Sequence, residues 1–152
     1  TGGAGYIGSV LIPLLLDNGY EVKCLDRFFF GKETLNEVMS NPNLELIKDD
    51  IRWFNPEILK DTDAVLDLAS LSNDPSGELD PKKTLEINHE GRARVANLSK
   101  KWGVEKYVLA STCSVYGFQE GICVSAVLRA CLLVFRIERE NAAVRTEIGT
   151  FP

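Results

Sequence analysis

The chain opens Thr1-Gly2-Gly3-Ala4-Gly5-Tyr6-Ile7-Gly8, which fits G-x-G-x-x-G at Gly3, Gly5 and Gly8 and G-x-x-G-x-x-G at Gly2, Gly5 and Gly8. Both readings carry the same chemistry. Residues without Cβ allow a tight turn and let the backbone approach a pyrophosphate, whose charge is met by free N–H groups at the start of a helix. Alone, such a string is equally well a simple turn. Its setting argues for the ligand: an apolar helical stretch follows at once, then a strand ending in Leu25-Asp26-Arg27. Asp26 lies 18 residues beyond Gly8, close to the separation of about 20 at which an acid accepts hydrogen bonds from an adenosine ribose. An aspartate there repels a 2′-phosphate and so favours NAD over NADP, although Arg27 next door could moderate the preference. The bland reading of Asp26 is a solvated carboxylate at a strand end.

These residues need elements to position them, and strand-like and helix-like segments alternate from the start, as in parallel βαβ units. A helix is expected over about Tyr6–Asp17, with Pro13 inside it as a kink and Gly19 as its exit. Short apolar runs at Glu21–Leu25, Leu44–Ile47 and Ala64–Ala69 read as buried parallel strands. The longest helix runs from about Pro81 to Trp102, capped by Asp80 and closed by Gly103. Asn88, Gly91, Val95, Leu98 and Trp102 share one of its faces, so Asn88 is a polar residue in an apolar stripe and needs hydrogen-bond partners. Val104–Ala110 reads as the next strand, and the small polar run Ser111–Ser114 marks its carboxyl end, the edge at which open α/β sheets bind ligands. After Gly117 the alternation degrades: Ile122–Ile137 is apolar with Arg129 and Arg136 inserted, and Glu138–Glu147 is charged. The division is therefore a cofactor-type domain over residues 1–121 and a tail over residues 122–152.

The 152 residues make one domain, and 45% apolar with 26% charged residues excludes a mainly disordered or fibrous chain. A net charge of −5 without a basic patch argues against nucleic acid as a partner. Apolar stretches such as Val10–Leu16 and Cys131–Phe135 fall far short of the roughly 20 residues that span a bilayer, so no membrane association is expected. Cys24, Cys113, Cys123 and Cys131 form no C-x-x-C pair, which reads as free thiols of a reducing cytoplasm. His89, the single histidine, has no companion at ligand spacing, and no metal site is expected.

Over roughly Thr1–Gly121 the motifs together resemble the extended short-chain dehydrogenase/reductase family, in particular its NAD-dependent nucleotide-sugar epimerases and dehydratases. Thr1 to Gly8 resembles the family's T-G-x-x-G-x-x-G loop, Asp26 its ribose acid, and Asp50-Ile51 the pair that approaches the adenine. Leu68-Ala69-Ser70 resembles the strand end that passes under the cofactor, and Asn88 the Asn of the following helix. Ser111-Thr112-Cys113-Ser114-Val115-Tyr116-Gly117 resembles the S-[ST]-x-x-V-Y-G signature. The resemblance implies a Rossmann-type doubly wound α/β sheet, bound NAD and a nucleotide-diphosphate sugar as substrate, and it allows a homodimer. It gives Gly2, Gly5, Tyr6, Ile7, Gly8, Asp26, Arg27, Asp50, Ile51, Leu68, Ala69, Ser70, Asn88 and Ser111 to the cofactor. Thr112 would donate a hydrogen bond to the reacting sugar hydroxyl or developing ketone. Tyr107 and Tyr116 are expected to be packing residues.

Two departures qualify that expectation. Family chemistry uses a tyrosinate, activated by a lysine at Tyr-x-x-x-Lys, to remove the hydroxyl proton while hydride leaves for the nicotinamide. No tyrosine follows Tyr116 and no lysine follows Lys106, and loss of a positioned acid/base removes about 10²–10⁴ in rate. The strand that should precede the glycine loop, central in the Rossmann order, and the sugar-binding carboxyl half are also absent from the pattern. The expectation is an incomplete or frameshifted product, out of family register after about Gly121, with unpaired backbone on the strands flanking the loop.

Overall fold

The computed structural model describes residues 1–72 and 79–111, together with the backbone of strands at 132–137 and 144–147. Helix α1, Tyr6–Asp17, begins directly after Gly5 and buries Gly8, Ile12 and Leu16, one residue per turn along a single stripe. Pro13 stays inside it. Strand β1 (Val22–Asp26) pairs in parallel with β2 (Leu44–Lys48), Val22 opposite Leu44 and Asp26 opposite Lys48. Strand β3 (Ala64–Asp67) pairs in parallel with β4 (Lys106–Ala110), Ala64 opposite Lys106. The tail, which showed no readable alternation, adds β5 (Leu132–Ile137) and β6 (Val144–Glu147), both antiparallel, beyond β4.

The sheet is thus split into β1-β2 and β3-β4-β5-β6. The break lies between β1 and β3, and Thr1 and Gly2 span it at the carboxyl ends. The Gly2 N–H donates to the Leu25 carbonyl (2.9 Å), the Leu68 N–H donates to the Thr1 carbonyl (3.1 Å), and the Thr1 nitrogen donates to the Leu66 carbonyl (2.7 Å). With neighbouring strands about 4.8 Å apart, β1 and β3 stand roughly two spacings from each other. The two opening residues therefore satisfy part of the facing edges, and no described strand pairs the rest.

Successive residues of a strand face opposite sides, and Cys24 and Leu25 join different cores. On one side, Cys24 packs with Ala4, Ile12, Leu16 and Leu35 under the glycine loop and α1. On the other, Leu25 packs with Ile51, Phe54, Val65, Val95 and Tyr107. Apolar groups on both faces are what a doubly wound sheet requires. The helix expected over Pro81–Trp102 comprises α2 (Pro81–Leu85), a π turn at Glu86–Gly91 and α3 (Arg92–Lys101). Asp80 caps it as expected, its carboxylate accepting the Lys83 N–H at 3.0 Å. Trp102, placed on the buried stripe by its spacing, is instead exposed. The helix ends at Lys101, and Trp102, with ψ of 2°, already leaves the helical path.

The close packing of loop on helix rests on Gly8, where a Cβ would collide with the Gly3 backbone, including its carbonyl oxygen. Gly8→Ala is expected to cost about 2–3 kcal/mol in urea unfolding. Val10→Ala, on the exposed face of the same helix, should change stability by less than about 0.5 kcal/mol.

Candidate cofactor site

The glycine loop turns at Gly2, whose φ of +68° is left-handed and whose missing Cβ would lie 2.7 Å from the Ala69 backbone. The loop thus rests on the end of β3. Gly5 is the N-cap of α1 and supplies no side-chain bond to the amides of the first turn, the arrangement in which helix starts can meet an anion. Tyr6 and Ile7 extend into solvent beside it. At the end of β1, Asp26 accepts the Ala4 N–H on one oxygen (3.0 Å) and the Phe28 N–H on the other (2.7 Å). Its carboxylate therefore ties the glycine loop to the strand end and braces Phe28, which has the left-handed φ of 53°.

A chain of charges runs from there along the carboxyl edge. Arg27 donates to Asp50 at 2.6 Å, Arg52 forks onto Asp50 at 2.9 and 3.0 Å, and Arg52 reaches Glu86 at 3.1 Å. Burial pushes the Asp50 carboxyl up, but the side chain and backbone N–H of Arg52 and the guanidinium of Arg27 outweigh it and hold the pKa at about 2. Ile51 is buried in the core with Gly91 packed upon it.

Beyond β3, Leu68 and Ala69 are half-buried and Ser70 is exposed. Asn88 reaches across from the π turn and makes two bonds to one residue, accepting the Leu71 N–H and donating to the Leu71 carbonyl, both at 2.8 Å. The polar residue in the apolar stripe thus has its partners: it pins the segment that leaves β3. Ser111 follows β4, half-buried, while Thr112 and the rest of its signature lie outside the described residues.

The same edge holds a junction that the sequence reading did not single out. Asp67, with no solvent exposure, accepts the Thr1 hydroxyl at 2.6 Å, the Tyr107 hydroxyl, and Arg92 Nε at 3.4 Å. Arg92 also donates to the carbonyls of Asp67 (3.1 Å) and Ala110 (2.5 Å), so it clamps the ends of β3 and β4 together. Burial first, then the charge of Asp67, push the Tyr107 hydroxyl well above its ordinary range. It remains a donor and not a proton carrier. An aspartate inside the apolar run Ala64-Val65-Leu66-Asp67-Leu68-Ala69 was the available signal, since a buried carboxylate requires a cation. No group of residues among those described could hold a metal ion, and none of the described helices is long and apolar enough to cross a membrane.

This geometry can be set beside known proteins. A family model described as "NAD dependent epimerase/dehydratase family" matches residues 1–128. The chain belongs to that family. UDP-glucuronic acid decarboxylase 1 of Arabidopsis thaliana is 39% identical over 118 residues, 77% of this chain and 26% of that protein. UDP-glucuronic acid decarboxylase 1 of Danio rerio is 37% identical over 121 residues, 79% and 28% respectively. Among solved structures, UDP-N-acetylglucosamine 4-epimerase from Methanobrevibacter ruminantium M1 superposes with a TM-score of 0.74 at 32% identity, covering 80% of this chain and 39% of that one. UDP-glucose 4-epimerase of Thermus thermophilus, in complex with NAD, gives 0.67 at 29% identity, covering 80% and 40%. The chain spans about a quarter of the length of those curated relatives. The family and its Rossmann-like fold, expected from the motifs, are thereby established, and with them NAD as the family's cofactor.

For this family member two measurements probe the charged edge. Arg92→Met, which leaves the Asp67 carboxylate buried without its cation, should cost about 3–5 kcal/mol by denaturant unfolding, and adding Asp67→Asn should recover most of that loss. At Asp50 the folded pKa lies below the unfolded one. Its pairing therefore stabilises fully above about pH 4 and is lost as pH falls toward 2. The stability gap between the unsubstituted chain and Asp50→Asn should narrow by about 2 kcal/mol between pH 5 and pH 2.

Proposed function

We propose that this chain is a cofactor half that binds NAD along the carboxyl edge of its sheet, in a family whose members act on nucleotide-diphosphate sugars. The carrying observation is the coupling of the glycine loop to Asp26 through the Ala4 N–H, which brings pyrophosphate-type and ribose-type recognition into one rigid unit. The donor set suits the group: no side chain caps the first-turn amides of α1, and the glycines before them keep the turn tight, since a Cβ at Gly2 would meet Ala69 and one at Gly5 would lie 3.2 Å from the Gly2 carbonyl. In this reading the amides of Tyr6, Ile7 and Gly8 meet the pyrophosphate and Asp26 accepts from the ribose. Asp50 and Ile51 border the adenine, while Leu68, Ala69, Ser70 and Ser111 line the path toward the nicotinamide. Asn88 acts through Leu71, whose backbone it fixes. Bound NAD would supply a hydride acceptor for a sugar carbon. Thr112 would donate to the oxygen of that carbon.

The relatives' names support UDP-sugars as the substrate class. With no tyrosine after Tyr116 and no lysine after Lys106, the chain holds no Tyr-x-x-x-Lys to take the hydroxyl proton. It should therefore bind NAD with little turnover. Calorimetric titration with NAD should give a micromolar-range Kd, weakened about tenfold or more by Asp26→Ala. Absence of binding by a sample whose circular dichroism shows it folded would overturn the reading. Conversion of UDP-glucose or UDP-glucuronic acid at several turnovers per second would overturn the claim of little turnover.

A further inference from the structure

In a dinucleotide site, an arginine near the ribose acid is the residue that accommodates a 2′-phosphate, and Arg27 follows Asp26 directly. Its guanidinium is not free to do so. It donates to Asp50 at 2.6 Å and lies over the Phe29 ring, 4.5 Å from the centroid. The Asp50 side chain is 5% exposed and that of Arg27 is 39% exposed, so the carboxylate is the fixed partner and the arginine the tethered one. The hydrogen bonds that Asp26 accepts in the described structure come from backbone N–H groups and none from Arg27.

We propose that Asp50 holds Arg27 away from the ribose and thereby makes the chain select NAD over NADP. The inference rests on the reading above that Asp26 faces the ribose. A 2′-phosphate would bring further negative charge against Asp26, and the arginine that follows Asp26 in the chain is committed to a buried carboxylate. Arg52 does not share this dependence on Asp50 alone, because Glu86 also holds it. Neutralising Asp50 thus releases Arg27 selectively, and a charge-assisted bond to a phosphate becomes available to it.

The test is calorimetric titration of the 152-residue chain with NAD and with NADP. Asp50→Asn should lower the NAD-to-NADP affinity ratio about tenfold through tighter NADP binding, and adding Arg27→Leu should restore it. Arg27→Leu with Asp50 intact should move both affinities by the same factor, a result that holds whether or not Asp50→Asn folds. A merely structural role for Asp50 would weaken both cofactors together. The proposal falls if Asp50→Asn binds NAD with an unchanged ratio, if the narrowed ratio survives loss of Arg27, or if Arg27→Leu alone widens the ratio. Failure of the unsubstituted, folded chain to bind NAD removes the functional reading and the proposal with it. NAD binding with any of the three contrary ratios removes the proposal alone.

Discussion

The carboxylate of Asp67 is the constraint on which the edge of the sheet depends. It is fully enclosed and is met by the first residue of the glycine loop, by the hydroxyl of Tyr107 on β4 and by Arg92 at the start of α3. A charge in that position must be paired and hydrogen-bonded, or it is too costly to bury. Satisfying it therefore fixes four segments of chain relative to one another. Arg92 extends the same constraint to the backbone, since its remaining donors go to the carbonyls that end β3 and β4. The residues given to the cofactor, from Leu68 to Ser70 and at Ser111, leave the sheet from those two points.

Much of this was legible in the sequence because local rules and the global fold agree. The glycine spacing, the distance to Asp26 and the Asp80-Pro81 cap each depend on short-range geometry that residue type alone determines. Asn88 was legible as a problem, a buried amide in want of partners, though its solution lay 17 residues away at Leu71. The long-range charge pairs were not legible. Asp50 with Arg27 and Asp67 with Arg92 join residues from different elements, and periodicity assigns a face but never a partner. The π turn left no compositional mark, since Glu86–Gly91 contains nothing that distinguishes it from ordinary helix. The tail strands were equally hidden: Leu132–Phe135 is a short apolar run followed by Arg136, which periodicity cannot divide between strand and helix.

Two arginine-carboxylate systems therefore serve different ends on one edge. Around Asp67 the charges are enclosed and hold elements in place. Around Asp50 they are half open, with Arg27 and Trp53 at the surface and Arg52 stacked 4.2 Å from the Trp53 ring. Enclosed pairs make a frame that resists change; partly exposed ones can be re-paired without dismantling it. The division matches where a ligand would arrive.

The π turn determines which kinds of sequence change this edge can absorb. Its six residues carry one more than a helical turn of similar register would need, and that surplus aims Asn88 at Leu71 while Arg92, four positions on, meets Asp67. A π turn takes up one more residue than the α-helical winding it replaces, so loss of one residue would let the segment relax to ordinary winding and leave α3 close to its present phase. Winding all six residues as α-helix would instead rotate everything after them by about 100°, and Asn88 and Arg92 could then no longer reach their partners together. The extra residue, more than any one side chain, therefore sets the phase between two anchors that lie on the same helix.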